Sequence, residues 1–388
     1  MNAEIAGRLA RAHHEGRCLA ATTNRWKRAL WRRVEHGLLV MPYPNVFDDP
    51  GHWDALDAAE QHLHVARSLA LVRPRLVFSH QTAAIAHGLL TPAPGTPIEM
   101  HATTSETSHS TSSRLLCRHY CTDHEVVHAA GLSVTSSIRT AFDCMRTSSF
   151  GRALAIGDAT LRKTGLSSDE LSKEFEAYRG HRGIAQARRA ARHADPRSEN
   201  GGESIARASM IELGFRVPEL QVLVPDPLNP MRGFRFDYLW LPEGMTLSDL
   251  GRLIERDELS PRCLVGGVAG ELDGVDKYLK RGKTHISRPG AIGCGVGGIG
   301  FRGDGIQDAY DPDIEATRRP NGLSADSPTL MPWFTTRREF KESAFMDERR
   351  RESRSSAYGL TFVRFFVDEA ENLEYMERLL TAYGIPRD

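Results

Sequence analysis

Acidic side chains that close two apolar runs are the features of this sequence best suited to chemistry. Asp237 lies in the run 236–240, and Glu271 and Asp273 lie in a second run that ends at Gly274. If both runs are β-strands, their carboxylates lie at the edge of a sheet and can converge. Hard cations such as Mg²⁺ prefer oxygen ligands, usually one or two carboxylates with water and substrate phosphate. The pattern therefore predicts phosphodiester chemistry in the second half of the chain.

Each of these acids also has an ordinary structural interpretation. Asp237 could be a strand-end carboxylate that pairs with Arg235 or Lys277. Glu271 and Asp273 could be turn residues, because Asp-Gly is a common turn sequence. The residues alone therefore leave a metal site and a set of structural acids as alternatives.

Size and composition indicate a multidomain globular protein. The chain has 388 residues, of which 40% are hydrophobic and 26% are charged, so two or three domains are expected. Its 50 basic and 50 acidic residues cancel, so a surface for nucleic acid must be a local patch. The sequence shows neither a long apolar run nor the apolar core of a signal peptide. Together with six scattered cysteines, this predicts a cytoplasmic protein without a membrane partner.

The N-terminal residues indicate a DNA-binding module. Apolar residues at helical spacing mark a first helix, a second or third helix runs from Trp26 to His36, and two short strands resemble the hairpin of a winged helix. Residues 1–40 contain eight Arg or Lys and three Glu, an excess that suits a phosphate backbone. The alternative is a solvated helix face. The residues predicted to contact DNA are Arg25, Lys27, Arg28, Arg32 and Arg33.

One cysteine-rich segment has the composition of half a zinc site. Cys117, Cys121 and His124 could supply ligands, although no second pair at zinc-finger spacing follows. The alternative is a strand and turn that happen to be rich in His and Cys.

Composition also predicts the domain boundaries. A breaker-rich linker near 195–202 precedes a final domain with the order helix, three strands, helix, strand, helix. Within it, positions 290–305 contain eight glycines, so 281–336 is predicted to be a long, mobile insertion. The predicted fold is α+β and multidomain: a winged helix-turn-helix at 1–53, a mixed α/β domain at 54–195, and a mixed sheet flanked by helices at 197–388.

The chemically interesting residues of the final domain follow one another in a recognisable order. They are Glu203, Arg235-Phe236-Asp237, Glu271-Leu272-Asp273-Gly274 with Lys277-Tyr278, Asp347-Glu348-Arg349-Arg350-Arg351, Gly359-Leu360 and Val363-Arg364. This order resembles the restriction-endonuclease-like nucleases of the very-short-patch-repair type. The resemblance implies a Mg²⁺ or Mn²⁺ cofactor.

The same resemblance implies roles for individual residues. Asp237, Glu271 and Asp273 would bind the metal, with Asp273 replacing or supplementing the usual lysine. Glu203 would contact the ion through water, and Lys277 would orient water or steady the leaving phosphate. The basic residues that would contact the DNA backbone or pair with the acids are Arg349, Arg350 and Arg351. Arg364 is expected to pair with a buried carboxylate.

Motifs upstream resemble a second family. Gly37-Leu38-Leu39-Val40, the stretch from Leu76 to Leu89, and the stretch from Val134 to Ala141 are similar to the AbiEi-type abortive-infection antitoxins. There, a winged helix precedes a regulatory domain with helices and strands. This resemblance implies double-stranded DNA as a partner and a cognate toxin as a second partner.

The two resemblances together favour a DNA-binding protein of the antitoxin type that carries a Mg²⁺-dependent endonuclease domain. Two departures, Asp273 in place of lysine and the long glycine-rich segment, leave other functions open. One is a non-catalytic autorepressor whose C-terminal domain only binds DNA or a protein. Another is a protein-interaction scaffold in which the acids are surface charges.

Overall fold

The N-terminal residues form two helices and a three-stranded sheet around a small apolar core. The computed structural model describes residues 3–105, 115–121, 125–273, 349 and 351–387. The sheet has the order β1-β3-β2, and both of its strand pairs are antiparallel. The elements are α1 (Ala3–His14), β1 (Leu19–Ala20), α2 (Asn24–Glu35), β2 (Val40–Tyr43) and β3 (Val46–Asp48).

Local sequence explains this first module. Ile5 and Leu9 lie one helical turn apart and are both buried against Leu30 of α2, so each helix presents one apolar face to the core. Thr23 caps α2 by accepting a hydrogen bond from the amide of Trp26. The predicted helix, the hairpin strands and their order agree with the structure. No additional helix separates α1 from α2.

The middle region is built mainly from helices, with two small sheets beside them. The strands β4 and β5 run parallel, whereas β6 and β7 form an antiparallel pair. Phe78 makes isolated bridges to both pairs, at Ala102 and Val134. The elements are α3 (Pro50–Ala55), α4 (Ala58–Val72), α5 (His80–His87), β4 (Met100–Thr104), β5 (Leu116–Tyr120), β6 (Val126–Ala129), β7 (Leu132–Thr135), α6 (Ser137–Met145), α7 (Phe150–Thr164), α8 (Ser168–Glu174) and α9 (Ile184–His193).

The C-terminal region contains a mixed four-stranded sheet with the order β11-β10-β9-β8. The pairs β8–β9 and β9–β10 are antiparallel, and β10–β11 is parallel. Residues 351–355 are also helical. The elements are α10 (Gly201–Glu212), β8 (Glu219–Asp226), β9 (Asn229–Trp240), α11 (Leu247–Glu255), β10 (Val268–Asp273), β11 (Thr361–Phe366), α12 (Val367–Glu371) and α13 (Leu373–Ala382).

Helix α10 is the element that connects the last two regions. Ala208 belongs to the apolar core formed with α6, α7 and α9. Ala206 and Met210 belong instead to the core beneath the four-stranded sheet. Because both faces of α10 are buried, the linker predicted near 195–202 joins two regions that share a helix.

The structure agrees with the α+β class and corrects the element order of the last region. Helix α11 between β9 and β10 was not expected from the sequence. The predicted glycine-rich insertion at 281–336 lies outside the described residues. Among the helices that the structure does describe, none combines the length and the apolar character needed to cross a membrane.

Candidate functional site

The site builds on the middle of the C-terminal sheet, where β9 and β10 stop pairing. Their antiparallel register ends with Gly270 opposite Tyr238, so Asp237 and Glu271 are the next residues on the two strands. The Oδ2 atom of Asp237 accepts a hydrogen bond of 3.0 Å from the backbone amide of Leu272. The strand ends therefore hold Asp237 directly beside the chain segment that carries Glu271.

A glutamine on β8 joins Asp237 to the acid on the neighbouring helix. The Nε2 atom of Gln221 lies 3.0 Å from Glu203 Oε2 and 3.3 Å from Asp237 Oδ1. Gln221 has φ 54°, a left-handed conformation unusual for a non-glycine residue in a strand. Leu220 and Val222 flank it, and they belong to different apolar cores. The local change in backbone direction thus turns the glutamine side chain towards both acids.

Glu203 is fixed in place by the first turn of α10. The side chain of Asn200 caps the helix by accepting from the Glu203 amide at 3.0 Å, and its Nδ2 donates to Glu203 Oε1 at 2.6 Å. The backbone amide of Glu199 donates to Glu203 Oε2 at 2.7 Å. Tyr238 donates its hydroxyl to the backbone carbonyl of Glu203 at 2.9 Å, which ties the helix to β9.

The electrostatics of Glu203 and Asp237 differ from those of surface acids. Burial, opposed by the hydrogen bond from the Glu199 amide and aided by the negative charge of Asp237, raises the pKa of Glu203 to about 7. Carboxylates held close together and away from water favour either a shared proton or a bound cation. The Oε1 atom of Gln221 is buried with no hydrogen-bond partner, so an amide oxygen remains near the two acids.

Glu271 and Asp273 are each paired with an arginine instead. Glu271 is 3% exposed, and its Oε1 lies 2.5 Å from Arg351 Nη2. Arg364, opposite Glu271 in the parallel register, places Nη1 3.2 Å from both carboxylate oxygens of Asp273. The expectation that Arg364 pairs with a buried carboxylate is confirmed. For Arg351, the structure shows the acid-pairing alternative.

The predicted three-acid set is not gathered at one point in this conformation. In the described part of the chain, three groups of His, Cys, Asp or Glu bring their ligand atoms within 4.8 Å of one another, and none contains Asp237, Glu271 or Asp273. Arg235, one expected partner of Asp237, pairs with Glu199 instead. Lys277 and Arg350 lie outside the described residues, and Arg349 is described as helical.

The basic residues of α2 divide into an exposed set and a half-buried set. Arg25, Arg28 and Arg32 are exposed and lie three and four residues apart, which places them on one face of the helix. Lys27 and Arg33 are half-buried, and Arg33 Nη1 donates to the carbonyl of Ala29 at 2.6 Å. Three of the five predicted DNA contacts are therefore available on one surface.

A histidine cluster that was not predicted from the sequence lies beside the cysteine-rich segment. The His101 Nδ1 and His119 Nε2 atoms lie 2.9 Å apart, and the rings of His80 and His119 stack at 3.5 Å. Burial lowers the pKa of His80 to about 3 and that of His119 to about 4. Cys117 groups with Glu99 and His101, not with Cys121, and His124 lies outside the described residues.

Comparisons with known proteins find two relatives that match part of the chain. No family model matches the chain, and no solved structure matches it significantly. Two uncharacterized proteins of Mycobacterium tuberculosis are similar to it: MT2308 of strain CDC 1551 / Oshkosh and Rv2248 of strain ATCC 25618 / H37Rv. Each is 36% identical over 111 residues, which are 29% of this chain and 40% of the relative. The match thus spans less than half of either relative's length.

Proposed function

We propose that this chain binds DNA through its N-terminal module and hydrolyses phosphodiester bonds with a divalent metal in its C-terminal region. The observation that carries the proposal is the bridge from Gln221 to both Glu203 and Asp237. It places acids from a helix and a strand beside the segment that carries Glu271. The donor set consists of oxygens, which suits Mg²⁺ or Mn²⁺.

Each residue of the site would have a separate role. Glu203 and Asp237 would hold the ion, and Gln221 would keep the two carboxylates in register. A bound Mg²⁺ supplies Lewis-acid polarisation of the phosphoryl oxygen and a bound water of lowered pKa. Glu271 would join the metal ligands once Arg351 releases it and binds a DNA phosphate instead, because guanidinium groups bind phosphate and carboxylate alike. Asp273 would remain with Arg364 and position β11 against β10.

The N-terminal module would deliver this region to its substrate. Arg25, Arg28 and Arg32 form an exposed basic face on α2, and the β2–β3 hairpin lies beside it in the chain. Neutralisation of phosphates by such residues makes binding depend steeply on salt. Double-stranded DNA is therefore the proposed partner, and a cognate toxin remains a further proposal that rests on the family resemblance alone.

The proposal is tested by nicking of supercoiled plasmid with Mg²⁺, with Mn²⁺ and with chelator. The wild-type chain should nick only with a metal, and Asp237→Ala and Glu271→Ala should each abolish nicking. Glu219→Ala is the matched control, because Glu219 lies on β8 near Gln221 and pairs with the exposed Arg197. Metal-independent nicking, or full activity in Asp237→Ala, would contradict the proposal.

A second function is favoured by one specific observation. Glu271 and Asp273 already have arginine partners. A domain that has lost nuclease activity would retain its acids in such ion pairs. In that case the chain is a non-catalytic regulator that binds DNA and cuts nothing with either metal. A gel-shift assay beside the nicking assay separates the two functions, because the regulator predicts salt-sensitive binding with intact plasmid.

A further inference from the structure

A fully buried carboxylate lies beneath the N-terminal sheet. Asp48, the last residue of β3, is 0% exposed. Its Oδ1 atom is 2.6 Å from His13 Nε2 and 3.2 Å from His52 Nδ1. Its Oδ2 atom is 3.3 Å from Cys18 Sγ and 3.2 Å from the same His52 nitrogen. Three side chains with metal-binding atoms therefore surround one carboxylate.

The fold holds these residues together from distant parts of the chain. Cys18 directly precedes β1, whose register places Leu19 opposite Phe47, so it lies next to Asp48. His13 belongs to the last turn of α1. Asp49 caps α3 by accepting from the amide of His52, which holds that histidine one turn beyond Asp48.

The backbone and ring contacts make the arrangement rigid. The amide and carbonyl of Cys18 both bond to the hydroxyl of Ser68 on α4, each at 3.0 Å. The rings of His13 and His52 stack with centroids 3.6 Å apart and an 8° angle between planes. Each ring therefore directs one nitrogen at the same carboxylate.

The chemistry of the cluster is that of a metal site. A buried carboxylate is costly unless a cation or strong donors compensate it. The side-chain partners of Asp48 in the described structure are two imidazoles and a thiol, with neither lysine nor arginine among them. A divalent ion bound by this carboxylate and two neutral imidazoles would compensate the buried negative charge.

The spacing of the ligand atoms also fits. Bonds of about 2.0 to 2.3 Å in a tetrahedral zinc site place neighbouring ligand atoms roughly 3.3 to 3.7 Å apart. The contact from Asp48 to His52 is 3.2 Å, close to this spacing, and that from Asp48 to His13 is shorter, at 2.6 Å. The ligand atoms of His13, Asp48 and His52 all lie within 4.8 Å of one another.

A fifth residue extends the cluster on the side of Cys18. His64 on α4 is 4% exposed, and its Nδ1 atom is buried with no hydrogen-bond partner. Cys18, Asp48 and His64 form a second group whose ligand atoms lie within 4.8 Å of one another. Cys18 and His64 therefore share Asp48 with the other two histidines but form a group of their own.

We infer that His13, Asp48 and His52 bind one divalent transition-metal ion of the zinc class, with water as its remaining ligand. The ion ties α1 and the sheet to α3. This inference does not depend on the nuclease proposal, because none of its residues belongs to the C-terminal region.

The test measures metal in the full-length wild-type chain after equilibration with zinc and desalting. Elemental analysis should find one zinc per chain, and thermal unfolding should move to lower temperature when a strong chelator removes it. The Co²⁺ form should show a ligand-field band in the visible range that His52→Ala lacks. Asp48→Asn should lose stoichiometric zinc.

A neighbouring histidine supplies the control. His14 follows His13 on α1 and is exposed, so His14→Ala should retain zinc and the cobalt band. Wild-type protein without stoichiometric zinc, whose unfolding temperature is the same with zinc and with chelator, would overturn the inference and leave a hydrogen-bonded cluster only. This outcome is read from the wild type and does not require any variant to fold.

Discussion

The ion pair between Asp158 of α7 and Arg207 of α10 should be a major determinant of stability. Arg207 Nη2 lies 2.8 Å from both carboxylate oxygens, and the two residues are 0% and 3% exposed. The backbone amide of Asp195 donates to Asp158 as well, at 2.8 Å. Burial raises the pKa of Asp158 even though Arg207 lies against it. Removing either partner therefore leaves an uncompensated charge inside the protein.

The expected cost follows from that burial. Arg207→Met should lower the free energy of unfolding by about 3 to 5 kcal/mol at neutral pH, as should Asp158→Leu. The double variant should lose much less than the sum, with a coupling energy of about 2 kcal/mol or more, because no buried charge remains. In Arg207→Met the loss should shrink as the pH falls, since Asp158 then takes up a proton more readily.

Urea unfolding followed by circular dichroism measures all three variants and a control. The control is Arg378→Met, which removes the exposed partner of Glu374 and should cost less than about 1 kcal/mol. If Arg207→Met were no more damaging than Arg378→Met, or if the single losses simply added, the ion pair would not connect α7 to α10 energetically. That result would refute the reasoning on how the two regions are joined.

Three further predictions concern protonation and DNA. Burial lowers the pKa of His62 and His119 to about 4 and that of His80 to about 3. The pKa of an unfolded-state histidine is near 6.5, so the stability that these groups contribute is complete above that pH and is lost as the pH falls towards 4. Each should contribute up to about 1.4 kcal/mol per pH unit to the slope of unfolding free energy, and His80→Gln should reduce that slope. The pKa of Glu203 is raised to about 7, so its stability contribution is present below its unfolded value and lost as pH rises through 7. Between about pH 5 and 8, the free energy of urea unfolding of the wild type should therefore fall by up to about 3 kcal/mol relative to that of Glu203→Gln. A difference between the two proteins that does not change with pH would contradict this. Arg28→Ala should weaken DNA binding and reduce the salt slope by about 1, whereas loss of affinity with an unchanged slope would exclude a phosphate contact.

Sequence patterns predict elements here more successfully than they predict contacts. The apolar run around Asp237 correctly indicates β9, and the helix predicted after the breaker-rich linker corresponds to α10. Helix α11 was missed although Thr246 and Asp249 form a capping box, a signal that the sequence does contain. The role of Gln221 could not be predicted, because it depends on a left-handed backbone within a paired strand. The same holds for the Asp48 cluster, whose members come from α1, the sheet and α3 and meet only in the folded chain.

The arginine partners of the acids show a related limit. Arg364 faces Glu271 in the register but reaches Asp273, and Arg351 comes from a helix far along the chain. Opposite charges at such separations have many possible pairings in a sequence. Only the tertiary structure selects one of them.

We propose that Glu203 and Asp237 together hold a hard cation. Electron paramagnetic resonance of Mn²⁺ titrated into the chain measures this directly, because the signal of the free ion decreases as it binds. The wild type and Asp48→Asn should bind one Mn²⁺ with equal affinity at this site, and Glu203→Gln combined with Asp237→Asn should not bind it. Equal Mn²⁺ binding by the wild type and the double variant would contradict the account.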